Sequence, residues 1–291
     1  MTTQPTERPQ SNAFAVLASQ YSFDQLADIY NQARVDYIVP MPMNGKRMAE
    51  YVRDYDVDLN ASAVAINGDN VELGVCMLGR RADRAWITRL GVIPERRGRH
   101  IGQFLTELML ENARALGARR AQLEVIKGNE PATRLFYKLG FEPIRDLMVV
   151  RRPPGAPSEA LNIAGAAFET LDSAQIAALL REYEQTQRAA WTEEAVSLRN
   201  AGNLRGLRVV LPGGESGWLL FQRLPFQLTH FVFGGTLSEP VVQALLYHLH
   251  KTHSAQDTKV ENLPIDHPAW QVMQRFGYLE AFQRLEMYLY L

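Results

Sequence analysis

The stretch Val92-Ile93-Pro94-Glu95-Arg96-Arg97-Gly98-Arg99-His100-Ile101-Gly102 has the residue types and spacing of an anion-binding turn. It joins an apolar run to the start of an amphipathic helical pattern. Such a turn exposes backbone N–H groups with no intrahelical partner, and a helix start carries partial positive charge. Both favour a bound anion, above all a pyrophosphate. Gly98 and Gly102 permit close backbone approach, and Arg96, Arg97 and Arg99 add charge-assisted donors. A solvated loop has a similar composition. A nucleic-acid contact would need interleaved aromatics and a wider basic field, which the stretch lacks, so no nucleic-acid partner is expected. Other chemistries find little support. His248, His250 and His253 cluster, but only His250 and His253 share an i, i+3 face, without a carboxylate motif. They read as a solvated helix face, and no metal site is expected. No Ser-His-Asp or Cys-His pattern stands out. The lone Cys76 lies in the apolar run Val75–Leu78 and reads as a buried structural thiol.

The elements that must position the turn are legible around it. Ser22-Phe23-Asp24-Gln25 has the form of a capping box, followed by Leu26, Ile29, Tyr30 and Ala33 at helical spacing over 22–35. A second helical pattern covers 45–54. Residues 63–66, the turn Asn67-Gly68-Asp69-Asn70 and residues 71–78 read as strand, turn, strand. A third strand covers 85–93. Ile101, Phe104, Leu105, Leu108, Met109 and Leu116 mark an amphipathic helix ended by Gly117. A short strand at 121–126, a helix at 131–139 ended by Gly140, and a strand near 147–151 complete the half. The order predicts an α/β fold, a mixed sheet with helices on its faces (α+β in its segregation).

The chain has 291 residues, enough for two domains with real cores, and a net charge of −1 that selects no charged partner. No run of 18 apolar residues predicts a membrane helix. Residues 1–12 read as a disordered arm without a secretory h-region, and a cytoplasmic location is expected. The Pro-rich stretch 153–158 reads as a linker between a domain over 13–152 and another over 159–291. The two halves match. Ala166-Ala167-Phe168 and Asp172-Ser173-Ala174-Gln175 repeat the opening of the first half. His267-Pro268-Ala269 and Gly277-Tyr278 repeat Glu130-Pro131-Ala132 and Gly140-Phe141 at an offset of 137. Strands are expected at 207–211, 218–222 and 230–233.

Arg97 and Gly102 fill the first and last slots of Arg/Gln-x-x-Gly-x-Gly/Ala, the phosphate loop of the GNAT superfamily of N-acyltransferases. Leu90-Gly91-Val92-Ile93-Pro94 is similar to the strand end before that loop. Asn129-Glu130-Pro131-Ala132 through Gly140-Phe141 resembles the family's second motif, Asn-x-x-Ala, an aromatic, then Gly-Phe. The resemblance covers about residues 13–151. It implies two tandem GNAT-like domains, the second degenerate: Gly234-Gly235-Thr236-Leu237-Ser238-Glu239-Pro240 has no arginine, and Glu239 would repel phosphate. His100 replaces the loop's middle glycine, where a positive φ would cost about 1 kcal/mol. Phe136 stands where the family often places a tyrosine acid, and Tyr137 follows about 100° round the helix.

The resemblance implies transfer of an acetyl group from acetyl-CoA to an amine of a small molecule or peptide by direct attack in a ternary complex. Leu90, Val92, Arg97, Gly98, Arg99, His100, Ile101, Gly102, Asn129, Ala132 and Phe136 are the expected donor-binding residues. A backbone N–H near Leu90–Val92 would stabilise the thioester oxygen. A free amine has a pKa of about 10, so a base is needed. Glu124, in the apolar strand 123–126, is the first candidate, with Glu50, Asp36 and Asp83 as alternatives; pairing of Glu124 with Arg89 or solvent is the other reading. Tyr137 is the candidate acid. Tyr30, Tyr37 and Trp86 are candidates for an acceptor pocket or for packing. A non-catalytic acyl-CoA-binding sensor is the alternative function. Neither monomer nor homodimer is preferred, and no membrane partner is expected.

Overall fold

A computed structural model describes residues 13–157, 163, 165–186 and 189–291. The arm expected over 1–12 and the expected domain start at 159 lie outside the described residues. The chain divides into two compact units. One runs to Pro143 and takes back Met287–Leu291; the other is Ile144–Glu286.

The first unit holds β1 (Phe14–Leu17), α1 (Phe23–Gln32), α2 (Gly45–Asp54), β2 (Ala63–Ile66), β3 (Glu72–Arg81) and β4 (Arg84–Val92). After them come α3 (Ile101–Ala115), β5 (Arg120–Ile126) and α4 (Glu130–Lys138). The capping box forms: the Gln25 N–H donates to Ser22 Oγ at 3.2 Å, and the Ser22 N–H donates to Gln25 Oε1 at 2.8 Å. Strands β1 to β4 pair antiparallel in chain order, and β5 joins β4 in parallel. A parallel neighbour requires a crossover, which α3 supplies. Its Leu105 and Met109 are fully buried. Cys76 is buried on β3, and burial pushes its thiol pKa up, so it is an inert packing residue.

The second unit repeats this order. It contains β6 (Glu142–Arg152, from Ile144), β7 (Ala167–Leu171), α5 (Ser173–Gln185), α6 (Ala195–Ala201), β8 (Leu204–Val210), β9 (Ser216–Arg223) and β10 (Gln227–Gly235). Then come α7 (Glu239–Thr252), β11 (Asp257–Pro264), α8 (Trp270–Arg275) and β12 (Leu279–Tyr290), whose last residues belong to the first unit. Strands β7 to β10 are antiparallel and β11 is parallel to β10. The second capping box, Asp172 with Gln175, also forms. Leu245, Leu246 and Leu249 of α7 pack on Leu207, Leu219 and Phe221.

Two local features depart from the sequence reading. The Pro-rich stretch is fastened to the second unit, because buried Arg152 donates to the carbonyls of Phe276, Gly155 and Ala156, and the Gly155 N–H donates to Ser254. The three clustered histidines are not a solvated face. His250 is fully buried, with Nε2 2.8 Å from the Tyr278 hydroxyl, whereas His248 and His253 are half-buried. A helix turns about 100° per residue, so neighbours two positions apart face different ways, and the apolar environment takes one of them. No helix is long and apolar enough to cross a membrane among the described residues.

Candidate active site

Strand β4 pairs with β5 only from Arg84↔Arg120 to Trp86↔Gln122. Beyond that point the β3–β4 register slips, with Val75 opposite Gly91 but Met77 opposite Thr88. The slip is a bulge centred on Arg89, whose φ is +54°. Gly74 makes it possible: a Cβ there would lie 2.4 Å from the Gly91 carbonyl oxygen. Arg89 is held by Tyr30, whose hydroxyl accepts from Nη1 at 3.0 Å, and its guanidinium lies 3.9 Å from the Tyr51 ring centroid. The carboxyl ends of β4 and β5 are thereby separated.

A cleft of about 510 Å³ occupies this end of the unit. Nine of the expected donor-binding residues line it: Leu90, Val92, Arg97, Gly98, His100, Ile101, Gly102, Asn129 and Ala132. The other two do not. Arg99 points to solvent, and Phe136 is buried edge-on against Phe141, 5.8 Å away. The chain also brings in Asp36, Tyr37, Ile38, Gln103 and Leu135.

His100 takes the N-cap of α3 with φ +60° and ψ 13°, so the slot left by the missing glycine is left-handed, and Gly98 has φ +75°. His100 makes no side-chain cap, leaving the first-turn N–H groups facing the cleft without one. Gly102 has room: a Cβ there would stand 3.6 Å from Leu135 and Val92. Arg97 is committed within the protein. Its guanidinium grips both carboxylate oxygens of Asp36 at 2.7 and 2.8 Å and donates to the carbonyls of Val92 and Ala33. That grip holds the Asp36 carboxyl below the usual range and raises Arg97. The next residue, Tyr37, accepts from Asn129 Nδ2 at 2.9 Å, while Asn129 Oδ1 caps α4 through the Ala132 N–H at 3.3 Å. Residues 36 and 37 thus tie the α1–α2 connection to both loops that border the cleft. These pairs span 61 and 92 residues of chain, beyond the reach of local pattern.

Glu124 is half-buried on β5 and accepts from the indole of Trp86 at 2.7 Å. Trp86 and Tyr30 are buried; Tyr37 is the one of the three acceptor-pocket candidates that lines the cleft. Tyr137 is 49% exposed and does not line the cleft. Among the described residues no group of three or more His, Cys, Asp or Glu could hold a metal.

Residues 25–141 match the acetyltransferase (GNAT) family model. A protein of Bacillus subtilis (strain 168), named as a ribosomal protein bS18-alanine N-acetyltransferase, is 35% identical over 83 residues, which is 28% of this chain and 55% of that relative. The chain therefore spans about half the length of that curated relative. A GCN5-related N-acetyltransferase from Sphaerobacter thermophilus shares the fold at a TM-score of 0.72 and 16% identity, over 97% of each chain. A tandem GNAT protein from the clavulanic acid biosynthesis pathway gives 0.64 and 16%, over 96% of this chain and 98% of its own. Residues 25–141 thus carry the match to the acetyltransferase (GNAT) family, and with the same strand order repeated in the second half the chain is built from two GNAT-like domains.

Proposed function

We propose that the first unit transfers an acetyl group from acetyl-CoA to an amine of a small molecule or peptide, by direct attack within a ternary complex. The observation that carries this reading is the cleft at the separated ends of β4 and β5, bordered by both the Arg97–Gly102 loop and the Asn129–Ala132 helix start. A diphosphate would rest against the first-turn N–H groups of α3, where backbone donors and the helix dipole act together. The Leu90–Val92 backbone, beyond the end of parallel pairing, would donate to the thioester oxygen as charge develops. Glu124 would take the amine proton, directly or through water, with Trp86 fixing the carboxylate. Attack of the neutral amine forms the new C–N bond, and collapse expels the CoA thiolate. That thiolate is a good leaving group, so exposed Tyr137 is not essential to the scheme. The Bacillus subtilis likeness makes a peptide N-terminus one acceptor to include.

The test is acetyl-CoA binding by calorimetry, followed by thiol release against a panel of amines and short peptides. Binding with turnover supports the enzyme. Binding with no turnover on any amine would favour an acyl-CoA sensor, and no binding would remove the donor site.

A further inference from the structure

The second unit carries a separate pocket of about 230 Å³ beneath the C-terminal half of α7. Its floor is apolar: Leu207, Phe221 and Leu249. Its polar wall is cationic or titratable: Arg205 on β8, Arg223 at the end of β9, His248 on α7 and His253 just past its end. Thr170 and Thr252 add hydroxyls, and no carboxylate lines it.

Three observations set these groups apart from ordinary surface charge. First, Arg151, Arg199, Arg208 and Arg275 of this unit each hold a carboxylate. Arg205 and Arg223 pair with none among the described residues; Arg205 reaches only the Leu204 carbonyl at 3.5 Å. Second, the imidazoles are built in. His248 stacks on Phe168 at 4.5 Å and His253 stands edge-on to Phe221 at 5.6 Å. Third, the pocket's field is positive. Besides burial, Lys251 holds down the pKa of His248, and Arg223 and His248 hold down that of His253. The matching helix of the first unit, α3, has no histidine at all.

We infer that this pocket binds a small oxyanion, a carboxylate or phosphate carried on a compact apolar body. The oxyanion would bridge Arg205 and Arg223, for which planar guanidinium forks suit both chemistries. The body would lie on Phe221 and Leu249. The volume falls below the ~300–1,000 Å³ of clefts for drug-sized ligands, which restricts the body to a single ring or short chain.

The test monitors the His248 and His253 imidazole resonances of the full-length protein during titration with phenyl phosphate, benzoate, inorganic phosphate and neutral benzyl alcohol. These resonances report this pocket and not the cleft of the first unit. The inference expects both histidines to shift and their pKa values to rise with phenyl phosphate or benzoate, whichever is the stronger naming the oxyanion. It expects Arg205→Gln/Arg223→Gln to weaken that binding at least tenfold, with Arg223→Lys intermediate. Both arginines are exposed, so an unchanged melting temperature should accompany the double variant. No response to any anion, an equal response in the double variant, or benzyl alcohol binding as well as benzoate would overturn it.

Discussion

The two units build the same opening and fill it differently. In each, a left-handed residue, Arg89 or His230, forms a bulge in the fourth strand, at φ +54° in both. In each, parallel pairing stops early, at Trp86↔Gln122 and at Leu228↔Thr258. In the first unit the separated strands border a cleft. In the second, a buried turn at Trp191–Glu193 enters the gap: Glu193 meets His230 at 3.2 Å, and Thr192 accepts from Asn262 at 2.9 Å. The loops differ too. Neither α3 nor α7 has a side-chain cap, but Ile93–His100 leads into α3 with arginines and no acid in its first turn, whereas Thr236–Ser238 leads into α7 with Glu239 in its first turn, gripped by Arg275. A carboxylate there satisfies the helix dipole that a phosphate would otherwise use. On the proposed function, a bulged, splayed strand would not suffice for donor binding, and the loop and helix start beyond the strand would decide it.

The sharpest way to break this comparison is to give the first unit the second unit's chemistry. Arg97→Ala/Gly102→Asp places a carboxylate in the first turn of α3. There is room for it, and it favours the helix, so the fold should persist. Acetyl-CoA affinity should fall about 100-fold or more, the loss of roughly two charge-assisted hydrogen bonds plus repulsion. Calorimetry on the wild type should show one site per chain. Two sites would mean that the second unit is not degenerate.

Glu124 and Glu261 sharpen it further, each being the fifth residue of its strand. Glu124 has the indole of Trp86, whereas Glu261 is locked between Arg284 and Lys259, which hold its pKa well below the usual range against the opposing effect of burial. Glu124→Gln should lower kcat by about 10²- to 10⁴-fold, leave acetyl-CoA affinity intact and abolish the acid limb of the pH–rate profile. An unchanged profile would remove Glu124 from the mechanism. Glu261→Gln leaves two cations without their shared partner and should cost about 3–5 kcal/mol of stability in urea unfolding, with turnover preserved in the folded fraction.

Acid should also separate the units. Burial pushes His250 down to about 3 and His267 down to about 4, against about 6.5 in the unfolded chain. Below pH 6.5 the unfolded state binds protons that the folded state refuses. The stability is therefore complete above about 6.5 and is lost as pH falls toward 3, on the order of 4 kcal/mol for His250. The second unit, which holds Trp191, Trp218 and Trp270, should lose its tryptophan emission first on acidification. His250→Gln, which keeps a partner for Tyr278 without titrating, should flatten that dependence.

Much of the fold is legible in the sequence, for identifiable reasons. The capping boxes at Ser22 and Asp172, the α3 periodicity and the Arg97–Gly102 loop are local, and local pattern reveals them. The short run of β1 carries no strand pattern of its own, and neither β11 nor β12 stands out in the sequence. Their character comes from neighbours distant in sequence, which period-two counting does not see. Within the site, glycines and motif residues are readable from backbone demands, while side-chain destinations are not. Arg97 has the type and place of a phosphate ligand. Only the fold shows that Asp36 already holds it.

That ion pair supplies the mildest test. Asp36 and Tyr37 fasten the α1–α2 connection at the cleft's border, where Thr192 and Glu193 are buried inside the corresponding gap of the second unit. The first fastening is exposed, with side-chain exposures of 43% for Arg97 and 52% for Asp36, so solvent screens it and global stability should hardly depend on it. Its effect should instead be local. Asp36→Asn keeps the shape, removes the charge and frees the guanidinium toward the cleft. The acceptor KM should rise about three- to tenfold as residues 33–44 loosen, with the melting temperature unchanged, because a positioning contact acts through substrate orientation. Acetyl-CoA affinity should stay within about twofold, since in the proposed scheme the phosphate would rest on the α3 amides rather than on Arg97. If the acetyl-CoA affinity collapses while the acceptor KM holds, the connection serves the donor alone, and the likeness between the two fastened turns is one of position without shared purpose.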